Sequence, residues 1–288
     1  MHTDQSPSSP TSPGHVKVGS VAALWRYPVK SMMGEELNSS DITDRGLLGD
    51  RQFAVVDRAT GKIGGAKNPR KWGNFFDFRA AYCEPPRTGA VFPPVRITLP
   101  DGAAITTGQG DMDQVLSRAF GRDVALVEAR SGDKSQGAKA EEYWPDMAGL
   151  DYRDTVTDFE MPGGTFFDIA VTHLLTTATI DLLRALYPQG RFEARRFRPN
   201  VVISVPGEDQ GFVENGWVGR TLTIGGDVRL AVTEPCPRCV MITLPQGDLP
   251  KDSGILRTAA QHNAVNVGVY ASVVSGGTIR RGDAVSLG

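Results

Sequence analysis

Residues 221–244 read TLTIGGDVRLAVTEPCPRCVMITL, and both the fold class and the chemistry turn on this stretch. Residues 221–224 and 228–233 are apolar or alternating runs, separated by Gly225, Gly226 and Asp227, which are turn formers. Residues 240–244, Val-Met-Ile-Thr-Leu, lack helical periodicity and read as a third strand. Between the second and third runs stand Cys236 and Cys239, two residues apart.

Working outward, the same pattern of short runs bounded by turn residues recurs at 19–25, 52–57, 77–82, 95–99, 124–128, 201–205, 265–274 and 284–287. Thirty-three glycines and nineteen prolines exclude long helices almost everywhere. The chain is therefore expected to be mainly β (α+β), with two β-barrel-like domains and a few short helices, not a doubly wound parallel sheet. Helical periodicity is confined to 111–120, 177–187 and, more weakly, 252–262. Thr176 or Thr177 suits the N-cap of the second of these helices, and Asp181 favours its first turn.

A length of 288 residues favours two domains over one. Residues 1–15, rich in Ser, Pro and Thr, read as a disordered tail. Residues 130–150, RSGDKSQGAKAEEYWPDMAGL, lose apolar periodicity and read as a linker or long loop. This divides the chain into 16–140 and 141–288.

Thirty-one basic and 33 acidic side chains, a net charge of -2, give no global reason for a nucleic-acid polymer or an acidic membrane as partner. No apolar run reaches 18 residues and no secretory signal is visible. Three cysteines, Cys83, Cys236 and Cys239, make no disulfide framework, and a reducing, cytoplasmic compartment is expected.

The C-x-x-C pair admits a zinc half-site, a redox dithiol or a thiolate for another metal. Zinc lacks a second paired motif among four scattered histidines. A dithiol relies on a helix N-terminus directly after the motif, whereas strand is expected there. Two inert core cysteines are the ordinary alternative. Arg238 beside Cys239 favours a thiolate, because a cation lowers a thiol below its usual pKa of about 8.5. Lys30 in LWRYPVKS, Arg51 in GDRQFAVVD, and Arg195, Arg196 and Arg198 in ARRFRPNVVIS each adjoin an apolar run. Singly such residues are usually solvated; together they suggest an anion pocket.

LWRYPVKS, GDRQFAVVD, FRPNVVIS, ENGWVGRTLTIGG, EPCPRC and GVYASVVSGGTIRRGDAVSL, in this order across residues 17–288, resemble the MOSC-domain family with its N-terminal β-barrel domain. Within it, the chain looks most like bacterial relatives of the mitochondrial amidoxime-reducing component, a molybdenum enzyme. The resemblance implies an N-terminal MOSC β-barrel domain over 16–140 and a MOSC domain over 141–288. It further implies the molybdenum cofactor (Mo-molybdopterin), with Cys239 as catalytic thiolate and metal ligand. Lys30, Arg51, Arg198 and Asn200 would hold the phosphate and pterin, Thr176 and Thr177 would offer a helix N-terminus to the anion, and Arg238 would add charge near the metal.

The implied reaction removes an oxygen atom, with two electrons, from small N-hydroxylated substrates: hydroxylamines, amidoximes or N-hydroxylated bases. Some relatives carry an iron–sulfur domain, which needs four cysteine ligands. Three cysteines do not supply it, so a ferredoxin or flavodoxin with its reductase is the expected electron donor. Pro237 stands where some relatives have a small polar residue. A non-enzymatic carrier of molybdenum cofactor or persulfide sulfur, and a metal-free dithiol oxidoreductase, are the alternatives.

Overall fold

The computed structural model describes residues 16–129, 137–147, 153–207 and 210–288. The tail expected at 1–15 lies outside the described residues, as do residues 130–136 and 148–150 of the expected linker. In chain order the first strands are β1 (Val16–Arg26), β2 (Glu35–Leu37), β3 (Ser39–Thr43), β4 (Gly46–Leu47), β5 (Phe53–Asp57), β6 (Arg79–Tyr82), β7 (Val95–Thr98) and β8 (Ala104–Thr106). Helix α1 (Met112–Phe120), β9 (Val124–Glu128) and the hairpin β10 (Lys139–Trp144) and β11 (Thr155–Glu160) follow. Then come β12 (Thr172–Thr176), α2 (Thr177–Leu186), α3 (Ala194–Phe197), β13 (Val201–Ser204), β14 (Thr221–Ile224) and β15 (Val228–Pro237). Helix α4 (Gly254–Asn263), β16 (Asn266–Ser275), β17 (Gly277–Arg280) and β18 (Ala284–Leu287) complete the chain.

The mainly β expectation holds. Seven strands close into a barrel in the order β13-β12-β16-β15-β14-β18-β1, with β1 pairing back onto β13. All its pairs are antiparallel except β12–β13, which α2 connects as a βαβ unit. Strand β1, from the far end of the sequence, is thus the stave that closes the barrel. Closure brings it unusually near β13: a Cβ at Gly19 would lie 2.2 Å from the Ser204 carbonyl oxygen. Only glycine fits that approach.

Leu24, Leu174, Ile203, Leu222, Leu230 and Val269 fill the barrel. A second core gathers Phe53, Phe75, Phe78, Ile97 and Leu116 from the first half of the chain, together with Val240, Met241 and Leu244 from the second. Helices α2 and α4 cover the barrel's outer face through Ile180, Leu183, Ile255 and Leu256.

Two expectations about local structure are corrected. Residues Val240–Thr243 form a 3-10 turn, not a strand. All four are buried, so their apolar run resembles a strand core, but the carbonyls of Ile242 and Leu244 are taken by Arg196 Nη1 at 3.0 and 3.1 Å and need no neighbouring strand. The supposed linker also contains a strand: β10 pairs with β11 from Lys139↔Glu160 to Trp144↔Thr155. Its carboxylates, which obscured the alternation, pair with lysines: Glu141 with Lys62 and Lys71, and Glu142 with Lys67.

Candidate functional site

A single cleft gathers side chains from both ends of the chain: the segment after β1, the turn before β5, the loop at 65–67, the β10–β11 hairpin, the loop before β12, the turn before β13 and the segment after β15. Five cations line it, namely Lys30, Arg51, Lys67, Arg198 and Arg238, against two carboxylates, Asp168 and Glu141. Three of the six described non-glycine residues with positive φ also line it: Ser31 (67°), Arg51 (48°) and Arg198 (54°). Left-handed backbone at such residues costs of order 1–3 kcal/mol and concentrates where structure serves a site.

The cations differ in what neutralises them. Arg51 pairs with Asp50, whose carboxylate also accepts from the Tyr27 N–H at 2.7 Å and from Asn200 Nδ2 at 2.9 Å. Asn200 in turn accepts from the His173 N–H at 3.1 Å, so it orients the Asp50–Arg51 pair from behind and has 1% of its surface exposed. Lys30 donates to the Phe166 carbonyl at 2.8 Å and pairs with Asp168. Lys67 Nζ lies 3.3 Å from Asp168 and 3.5 Å from Glu142.

Burial opposes ionisation of Asp168, but Lys30 and Lys67 overcome it and hold the carboxyl well below the usual range. Burial also draws Lys30 down from the usual ammonium value, against the pull of Asp168.

Arg198 stands differently. It donates to the Met32 carbonyl at 2.8 Å and lies over the Tyr27 ring at 4.1 Å, with no carboxylate in ion-pair contact among the described residues. Burial pulls its guanidinium down to about 10. Arg238 donates to Cys236 Sγ at 2.8 Å and to the Phe197 carbonyl at 2.9 Å, while its buried Nε has no partner. Two guanidinium groups therefore face the cleft without carboxylate neutralisation. Arg238 shares its charge with the Cys236 sulfur, whereas Arg198 has no such partner among the described residues, and a buried charge left so is costly unless an anion completes it.

Cys236 and Cys239 diverge. Cys236 is fully buried; burial raises its thiol, but Arg238 and His173 outweigh that and lower it overall. Cys239 is half-buried between the cleft residues Arg238 and Met241, and burial with the negative charge of Glu142 pushes its thiol up to about 12. Among the described residues no three His, Cys, Asp or Glu side chains converge on a metal position. A metal at Cys239 would therefore need most of its ligands from outside the protein.

The structure brings Lys30, Arg51, Arg198, Asn200 and Arg238 together around the cleft; Cys239 does not line it but adjoins the lining residue Arg238 and lies within electrostatic reach of Arg238 and Lys67. It does not bring Thr176 and Thr177 there. The Thr176 hydroxyl caps α2, accepting from the Thr179 N–H at 3.2 Å, and donates to Glu214 Oε2 at 2.6 Å, to which Thr179 Oγ1 also donates at 2.7 Å. The α2 N-terminus is thus already facing the protein's own buried carboxylate. Thr177 Oγ1 accepts from the Val205 N–H at 3.4 Å on another face.

The neighbours Arg195 and Arg196 also leave the site. Arg195 pairs with Glu193 and Asp248, whereas Arg196 is wholly buried among carbonyls. Sequence reading missed Lys67, Asp168, His173 and Tyr270. Only Lys67 carries a local signal, lying in the turn-rich stretch GGAKNPRK.

A closed barrel carries a cation-rich cleft, with the half-buried Cys239 beside its lining residue Arg238. The chain is a MOSC-domain protein with the MOSC N-terminal beta barrel domain: residues 165–286 match the first family and residues 18–71 the second. It is 26% identical over 296 residues to mitochondrial amidoxime-reducing component 1 of Mus musculus, covering 94% of this chain and 83% of the relative. It is also 26% identical over 300 residues to mitochondrial amidoxime reducing component 2 of Rattus norvegicus, covering 93% and 83%. Among solved structures, the YuaD protein from Bacillus subtilis aligns at a TM-score of 0.47 and 10% identity over 95% of this chain and 97% of that one. No helix of the described residues is long and apolar enough to cross a membrane.

Proposed function

We propose that the cleft holds a phosphate-bearing molybdenum cofactor and that the protein reduces small N-hydroxylated compounds. The observation that carries this reading is the pair Arg198 and Arg238: two guanidinium groups at a cleft, neither matched by a carboxylate, beside a cysteine that lacks protein co-ligands. An anionic, dithiolene-bearing pterin complements both features, giving negative charge to the arginines and soft ligands to a metal at Cys239. When bound, the cofactor supplies two-electron oxygen-atom transfer.

The protein's own residues have separate tasks. Arg51, set by Asp50 and Asn200, and Arg198, set by Met32 and Tyr27, present fixed forks to phosphate oxygens. Lys30 adds an ammonium from the floor. Cys239 would give its sulfur to the metal, and Phe166 and Phe167 in the cleft wall would exclude water from one side. The dithiol alternative finds no support in Cys236, which is sealed from solvent and committed to Arg238.

The testing experiment is direct. Protein from a host able to make the cofactor should contain about one molybdenum and one pterin per chain, as expected for a one-site reading. With reduced viologen it should convert benzamidoxime to benzamidine. Bound cofactor without turnover of any hydroxylamine or amidoxime would favour a carrier role, and absence of molybdenum and pterin would overturn the reading.

A further inference from the structure

Five cations line the cleft; apart from Arg51, which pairs with Asp50, they divide into two groups. On one side Arg198 and Arg238 have only neutral acceptors and a sulfur. On the other, Asp168 spans the two lysines: one carboxylate oxygen pairs with Lys30 and the other lies 3.3 Å from Lys67 Nζ. These groups come from three separate segments, at residues 30, 67 and 168, and only the tertiary fold joins them.

The Lys30 side chain is 8% exposed and has one further acceptor, the Phe166 carbonyl. An ammonium so placed needs an anion. In the ligand-free protein Asp168 is that anion.

We propose that Asp168 is a resident counter-ion of the cleft: it occupies on Lys30 the position that an incoming phosphate takes, and is left on Lys67 when the phosphate binds. The proposal rests on the anion-cleft reading above and deepens it. A phosphate group entering the cleft meets Arg198 and Arg238 first, since neither has a carboxylate to give up. Lys30 joins only by exchanging one anion for another. Lys67, already beside both Asp168 and Glu142, keeps the released carboxylate neutralised. The exchange therefore proceeds without stranding a buried charge of either sign.

Asp168 thereby sets affinity in a direction opposite to an ordinary structural residue. Taking away the competitor strengthens anion binding, although it weakens the ligand-free fold. A residue that merely braces the loop would weaken both when replaced.

The probe is inorganic pyrophosphate, titrated by calorimetry into the full chain purified without cofactor. Asp168→Asn should bind it at least tenfold more tightly than wild type, and added pyrophosphate should restore more of its thermal stability than of the wild type's. Arg198→Ala should bind at least tenfold more weakly. If wild type binds, Arg198→Ala fails, and folded Asp168→Asn gains nothing, the anion cleft stands and the counter-ion role falls. If neither wild type nor Asp168→Asn binds pyrophosphate, the anion-cleft reading itself falls, and this proposal with it. A wild-type measurement covers the case in which Asp168→Asn does not fold: the Asp168 carboxyl carbon resonance should shift on saturation with pyrophosphate. A resonance that stays in place at saturation also overturns the proposal.

Discussion

Arg238 Nη1 donates to Cys236 Sγ at 2.8 Å, two residues away along the chain, so the first cysteine of the C-x-x-C pair serves the arginine between the two. This separates their roles. Cys236 has no exposed surface, whereas Cys239 is half-buried next to the cleft residue Arg238. Cys239→Ser should lose molybdenum and activity, because an alcohol is a hard, weakly acidic ligand. Cys236→Ser should keep the metal, with a weaker hold on Arg238. Metal analysis of both variants decides it; equal loss would point to a shared dithiol or zinc site.

Arg198 and Arg195 are three residues apart but face different surroundings. Charge-assisted hydrogen bonds contribute roughly 1.5–3 kcal/mol each, so Arg198→Ala should weaken cofactor retention by about tenfold to a hundredfold. Arg195→Ala, whose partners Glu193 and Asp248 lie outside the cleft, should leave retention unchanged. Pterin content after gel filtration is the measurement.

Arg196 holds the fold rather than the ligand. Its guanidinium donates to the carbonyls of Arg191, Ile242, Leu244 and Pro250, and it is fully buried. Arg196→Met should destabilise the protein by about 3–5 kcal/mol, since several buried carbonyls lose their donor together. Denaturant unfolding should show this loss, and Arg196→Lys should recover little of it because an ammonium cannot span four acceptors.

The stability supplied by Asp168 should depend on pH in one direction. Its folded carboxyl lies below the usual value, so the contribution is full above about pH 4, the ordinary unfolded carboxylate value, and is lost as pH falls through the lower folded value. Asp168→Asn should therefore cost about 1.5–3 kcal/mol at pH 7 and progressively less in acid. Unfolding midpoints of both proteins measured from pH 7 to pH 2 test this. A gap independent of pH would contradict the ion-pair account.

Electron supply gives a further test of the proposed function. The 288 residues hold three cysteines, one fewer than a four-cysteine cluster uses, and no G-x-G-x-x-G between a strand and a helix. Turnover should proceed with reduced viologen, fail with NADH alone, and return on adding a ferredoxin or flavodoxin with its reductase. Steady NADH-driven turnover by the isolated protein would contradict it.

Much of the fold was legible locally. Strands such as β5, β9, β14 and β18 lie between turn residues, and α2 begins at its capping threonine. These features depend on near neighbours in sequence, as turn chemistry and helix capping do. A cation pocket was legible in outline: of Lys30, Arg51, Arg195, Arg196 and Arg198, read as cations beside apolar runs, Lys30, Arg51 and Arg198 line the cleft.

What each charge faces was not legible. Arg195, Arg196 and Arg198 read alike in ARRFRPN, yet one is on the surface, one is sealed among carbonyls and one lines the cleft. The same reason explains residues 240–243, where a distant arginine replaces strand partners, and Thr176, whose helix end is taken by Glu214. The sequence by itself determined which groups are present and which short segments extend or coil, because those follow from local sterics and periodicity. Only the tertiary structure decided that Asp168 joins Lys30 to Lys67 and that Arg198 has no carboxylate partner among the described residues. Charge pairing in a protein depends on distance in space and on exclusion of water, and closure of the barrel by β1 fixes both.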